Sequence, residues 1–197
     1  MNPLLAKISP TATRMIRMDH SHALTLFHKL EPGQSPSARE ATVRQLCAAL
    51  EIHAQLEEEI FYPALRETGA ELPQLERSQP EHDEMRTQIE RVRSLHAEPD
   101  AQALALRDLM RAVMHHVAEE ESSLLPAAEE RLGERLSELG QRMTERRLEL
   151  AKPLAGEMAA DAVRSSPGKT ALVVAGAVAA GALLLGSLKR SKDKDPA

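Results

Sequence analysis

The string HAQLEEEIFYPAL, beginning at His53, and the string HVAEEESSLLPAA, beginning at His116, align without gaps on a histidine, a glutamate four residues on and a proline ten residues on. Upstream of each stands an acidic residue followed by histidine, Asp19-His20 and Glu81-His82, placed 33 and 34 residues before the matching histidine. Residues four apart share one face of a helix, so His53 with Glu57, and His116 with Glu120, each present an imidazole and a carboxylate to one point. Two helical hairpins built on this repeat form a bundle with approximate two-fold symmetry, in which equivalent residues meet at the centre.

Turn chemistry divides the first 135 residues into four helical patterns. The first runs from about Thr11 to Leu30 and stops at Glu31-Pro32-Gly33. The second begins at Ser37, which with Glu40 has the spacing of a capping box, and continues to about Thr68-Gly69. A third lies between Gln79-Pro80 and Ala97, with Pro80 expected in its first turn, and a fourth runs from Pro99-Asp100 to about Leu132-Gly133. A polar fifth helix, Glu134 to Lys152, follows. Short connections between long helices favour antiparallel neighbours, the up-down arrangement of a four-helix bundle. Pro63 and Pro126 fall inside the second and fourth patterns, so those helices should kink or end there.

The composition agrees with an all-α chain: two Phe, one Tyr and no Trp leave little material for a sheet. A formal net charge of −5, with both signs interspersed, gives no basic face, so nucleic acid is not an expected partner. The single cysteine, Cys47, cannot form an internal disulfide and reads as a small core residue.

The His/Glu faces are also the apolar faces. Ile16, His20, Ala23, Leu24 and Phe27 share a stripe on the first helix, and Leu46, Ala49, Leu50, His53, Glu57, Ile60 and Ala64 share one on the second. On the third the stripe is His82, Met85, Ile89 and Val92; on the fourth it is Leu109, Ala112, Val113, His116, Glu120, Leu124 and Ala127. Burying a carboxylate without a partner costs several kcal/mol or more, so two of them beside four imidazoles call for a cation between them. The mixed set suits iron, manganese or zinc, and two bridging carboxylates can hold two ions. A buried His–Glu network that fixes helix register without metal is the alternative. His115 with Glu119 is a competing register on the fourth helix, but only His116 keeps the distance to proline seen in the first repeat. His22, His28 and His96 fall away from this layer, Tyr62 adjoins the site helix and reads as packing with a redox contribution as the alternative, and Glu58, Glu59, Glu119 and Glu121 read as solvated or supporting charges.

This spacing resembles the hemerythrin-like, HHE cation-binding family over roughly residues 11–150. The resemblance implies a four-helix bundle with His20, His53, His82 and His116 as terminal iron ligands and Glu57 and Glu120 as bridging carboxylates. The implied cofactor is a pair of non-haem iron ions, ahead of manganese or zinc. Members bind oxygen, sense oxygen or iron, or handle nitric oxide and peroxide. Oxygen-carrying members have a further histidine one turn after the third-helix ligand, and here that position is Arg86, which favours redox chemistry or regulation over oxygen carriage.

Beyond this domain, residues 1–150, the chain reads as a linker, 151–168, an anchor, 169–190, and a basic tail, 191–197. Residues 170–188 carry no charge and as a helix would span about 28 Å, close to a bilayer's hydrocarbon thickness. The segment resembles the glycine-rich anchors of small bacterial inner-membrane proteins, and Ala177, Gly181 and Gly186 would let a second copy approach closely. The start of the chain lacks a signal-peptide pattern, so the expected location is the inner membrane with the bundle facing the cytoplasm. Three functions follow from this reading: a protein that binds or reduces a diatomic or peroxide ligand in stress protection, a non-catalytic iron or oxygen sensor or store, or an anchor with a vestigial site.

Overall fold

The computed structural model describes residues 8–30, 34–69, 71–157, 160 and 161. They form helices and connecting turns, with no strand among the described residues: α1 (Ala12–Lys29), α2 (Pro36–Leu56), α3 (Tyr62–Arg66), α4 (Pro73–Ser94), α5 (Pro99–Glu119), α6 (Leu125–Leu132) and α7 (Arg135–Ala151). A π-helical turn, Glu57–Phe61, joins α2 to α3, and a second, Glu120–Leu124, joins α5 to α6. Helix α1 packs on α2 and α4 on α5, giving two hairpins, and α7 lies against α1 and α2.

The two π turns are the repeat written into the backbone. Each opens on the repeated glutamate and closes two residues before the repeated proline. Proline has no N–H to continue the ladder, and the chain accommodates this by widening one turn, so that the Tyr62 N–H bonds the Glu57 carbonyl and the Leu125 N–H bonds the Glu120 carbonyl. The extra residue advances the buried face by one position: past Glu120, Leu124, Leu125 and Ala128 are buried, where the α-helical count led to Ala127.

Two other expectations are corrected. The cap of α2 is Ser35, whose Oγ accepts from the Ala38 N–H at 3.3 Å with Pro36 opening the helix, and not Ser37. Helix α4 starts at Pro73 instead of near Pro80, because Leu75 and Ser78 are buried ahead of His82 and extend the helix by two turns; Pro80 sits inside it. Gly133, at φ +48°, ends α6 in a conformation other residues avoid and lets the chain turn into α7.

Two apolar clusters make the core. One holds Met15, Ile16, Leu56, Phe61, Leu75, Leu124 and Leu125 with Leu136, Leu139 and Met143 of α7; the other holds Ala23, Leu26, Leu46, Leu50, Met85, Ile89, Leu109 and Val113. On each of the four long helical runs the repeat histidine falls between a residue of one cluster and a residue of the other. Among the described residues no helix is long and apolar enough to cross a membrane. The expected anchor and tail, and the linker from residue 162 on, lie outside the described residues.

Candidate metal centre

Helices α1, α2, α4 and α5 bring His20, His53, His82 and His116 to one level, and the two π turns add Glu57 and Glu120. None of these six residues is more than 4% exposed. Their donor atoms fall into two overlapping groups, His20, His53, His116 and Glu120 and then His53, Glu57, His82 and His116, with ligating atoms within 4.8 Å of one another in each. His20 Nε2 lies 3.3 Å from Glu120 Oε2, while His53 Nε2 and His82 Nε2 each lie 3.3 Å from Glu57 Oε2. His116 Nε2 stands 3.5 Å from Glu120 Oε2 and 3.9 Å from Glu57 Oε2. All six residues named from the sequence are therefore brought together.

Proximity here is not satisfaction. Nε2 of His20 and of His53, Oε1 of Glu57 and Oε2 of Glu120 are buried without a hydrogen-bond partner among the described residues. Buried polar atoms are paired in the great majority of cases, and four orphans aimed into one space are the signature of a missing cationic partner. The donor set of nitrogens and carboxylate oxygens fits a first-row transition metal.

A second layer of carboxylates holds the outer nitrogens. Nδ1 lies 2.9 Å from Glu121 on His20, 2.8 Å from Glu58 on His82 and 2.9 Å from Glu81 on His116. On His53 the same atom stands 3.5 Å from Asp19, a longer approach. A carboxylate only accepts, so each Nδ1 that bonds one carries the proton and leaves the Nε2 lone pair facing inward. The pattern obeys the repeat: the acid before His20 serves His53 and the acid before His82 serves His116, within each hairpin. The residues after Glu57 and Glu120 serve His82 and His20, across the hairpins. Glu58 and Glu121 were legible as supporting charges; Asp19 and Glu81 were visible as repeat positions without an assigned role. Glu59 pairs with Arg146 and Glu119 with Arg77 on the surface. Arg86 turns outward to both Glu58 oxygens at 2.7 Å.

Tyr62, read as packing, belongs to the site. Its Oη lies 3.0 Å from Glu57 Oε2, 3.0 Å from Glu120 Oε1 and 3.4 Å from His82 Nε2. Its place after a glutamate-led π turn was the missing signal, because counting in α-helical steps aims it elsewhere. His115 is exposed, as expected of a flank, and Cys47 is buried, its thiol pushed up to about 11 by burial.

Charge is distributed unevenly over the six side chains. Burial, then the neighbouring Glu120, push the Glu57 carboxyl well above its ordinary range. Burial acts the same way on Glu120, but the approach of His20 at 3.3 Å and the charges of His116, His53 and His20 draw it down to about 2. Burial opposes charge on His20 too, yet Glu120 and Glu57 raise it to about 9, while burial and the nearby His20 lower His53 to about 4.

The family described as hemerythrin HHE cation binding domain matches residues 11–128. The match stops before α7, where the sequence resemblance extended to about residue 150. A protein of Nostoc sp. (strain PCC 7120 / SAG 25.82 / UTEX 2576) named DNA nickase is 30% identical over 124 residues, which are 63% of this chain and 35% of that one. The chain thus spans about a third of the length of that relative. No solved structure matches. Matched over most of the bundle, and carrying a buried cluster that fits metal binding, the chain belongs to the hemerythrin HHE cation-binding domain family.

Proposed function

We propose that this protein is a non-haem di-iron protein that binds or reacts with a small ligand, dioxygen, nitric oxide or a peroxide, in protection against oxidative or nitrosative stress. His20, His53, His82 and His116 would serve as terminal ligands, and Glu57 and Glu120 would be shared between the two ions. The observation that carries this reading is the set of buried, inward-facing and unpaired nitrogen and oxygen atoms at the level of the repeat histidines. Iron held there supplies redox chemistry toward a small ligand. The chain's own contribution is to orient His20, His82 and His116 through Glu121, Glu58 and Glu81, to keep the Nδ1 of those three protonated, to place Asp19 beside His53, and to exclude bulk water from the layer.

A second reading, a non-catalytic iron or oxygen sensor, is favoured by one contact. Asp19, which faces His53, is also clamped by both Arg147 guanidinium nitrogens from α7. A change at His53 on metal binding would reach a surface helix through that carboxylate. The nicking activity in the Nostoc relative's name is not assigned to this chain, since the match covers about a third of that protein. We also propose that residues 170–188 tether the bundle to a bacterial inner membrane, with the bundle facing the cytoplasm and a second copy as neighbour. The uncharged length of that segment supports this.

The test is metal analysis and the visible spectrum of the aerobically purified full chain. Stoichiometric iron whose ferric absorption bleaches with dithionite is expected, followed by a spectral response of the reduced protein to nitric oxide or peroxide. Absence of stoichiometric iron overturns both the stress-protection and the sensor readings.

A further inference from the structure

We infer that Tyr62 is itself a ligand of the metal centre, bound through its phenolate oxygen on the side of His82. The inference rests on the di-iron reading above and extends the six-residue set by a seventh donor.

A buried tyrosine that serves only packing needs one hydrogen-bond partner for its hydroxyl. Tyr62 Oη has three polar atoms within 3.4 Å: an oxygen of Glu57, an oxygen of Glu120 and Nε2 of His82. The hydroxyl has a single proton and can donate to one carboxylate at a time, so the remaining contacts call for a second proton or for a cation. Three acidic oxygens and an imidazole nitrogen crowd one point in a place that is 1% exposed. A cation at that point would satisfy all of these donors at once. The ring is held for the purpose, stacked on the His82 imidazole at 5.7 Å between centroids and 26° between planes.

The backbone explains how the phenol reaches the site. Five α-helical steps would carry Tyr62 about 140° around the axis from Glu57. The π turn Glu57–Phe61 brings it back, with the Tyr62 N–H on the Glu57 carbonyl. The second repeat has the same π turn, yet its equivalent residue is Leu125, buried in the apolar cluster. The centre is therefore two-fold in its histidines and glutamates and one-sided in its phenol. Coordination exchanges the phenol O–H bond for an O–metal bond; the proton leaves to bulk water and no electron is transferred.

Tyr62 is the one tyrosine of the chain, so ring-deuterated tyrosine supplied during expression labels this position alone. Resonance Raman spectra of the iron-loaded, oxidised full chain should show enhanced phenolate ring modes that shift in the deuterated protein. The visible charge-transfer band should be lost in Tyr62→Phe at equal iron content. Iron-replete wild-type protein without phenolate modes overturns this inference and leaves the di-iron reading standing; wild-type protein that takes up no iron overturns both. A Tyr62→Phe chain that fails to hold iron does not blunt the test, because the labelled wild-type spectrum decides by itself.

Discussion

Glu81 Oε2 lies 2.9 Å from Nδ1 of His116, and the bond draws the Glu81 carboxyl below its ordinary range. This contact, together with its symmetry mate from Asp19 toward His53, fixes which face of the imidazole looks inward. A ligand held by an outer carboxylate is more basic and already oriented, and removal of such a partner typically costs about 10–100-fold in metal affinity. Glu81→Gln should therefore bind iron about 10–100-fold more weakly than wild type by competition with a chelator, with little change in far-ultraviolet circular dichroism. Glu121→Gln should behave alike through His20.

Removal of a carboxylate proposed to bridge the ions is a harsher change. Glu57→Ala and Glu120→Ala should each lose stoichiometric iron while the helices persist, since the two apolar clusters that bracket the polar layer are untouched. For the wild type, iron at about 100 times its dissociation constant adds about 2.7 kcal/mol, which corresponds to a Tm about 5–10 °C above the chelated form. Calorimetry with and without chelator should show that gap in wild type and none in either variant. Unchanged iron content in both variants would refute the bridging roles.

How much of this was legible in the sequence depends on which rule governed each residue. The candidate site is carried by i,i+4 spacing and by a repeat that survives in plain text, so all six residues could be named and their side chains meet. Ala127 failed as a core position because the count assumed 3.6 residues per turn through Glu120–Leu124, where the chain takes one residue more. Tyr62 was lost to the same assumption. The proline in each repeat signalled an irregularity but not its form; a proline can kink, end or widen a helix, and burial of the surrounding apolar residues decides among these. Pro80 was misplaced because Leu75 and Ser78 bury ahead of it, a tertiary effect with no local mark. Partners such as Arg147 for Asp19 and Arg146 for Glu59 depend on where α7 docks, which short-range patterns do not encode.

That docking depends on Gly140. A Cβ there would meet the Pro10 carbonyl oxygen at 2.0 Å and the Thr11 carbonyl carbon at 2.8 Å, both backbone atoms that cannot swing aside. Gly140→Ala gains helix propensity but must push α7 off the start of α1. Overpacking of this kind costs about 1–3 kcal/mol. Urea unfolding should show the loss, with iron stoichiometry unchanged because the ligands lie on other helices.

Asp19 supplies the pH dependence. Burial pushes its carboxyl up, but hydrogen bonds with His53 and Arg147 and the guanidinium charge outweigh burial and hold it at about 2, below its ordinary 3.8. A carboxyl depressed in the folded state stabilises at pH above its unfolded value and loses that contribution as pH falls through the folded value. The contribution is about 2 kcal/mol at neutral pH, fading between about pH 4 and pH 2. Asp19→Asn in the metal-free protein should accordingly be less stable than wild type near pH 6, with the two curves converging near pH 2. A difference that stays constant across this range would contradict the assignment.

Anomalous diffraction at the iron absorption edge, from crystals of the full chain purified without added metal, addresses the centre itself. The account predicts two iron peaks per chain, lying among His20, His53, Glu57, His82, His116 and Glu120 and bridged by the two carboxylates. A layer without anomalous density, or a single peak bound elsewhere on the surface, would contradict it.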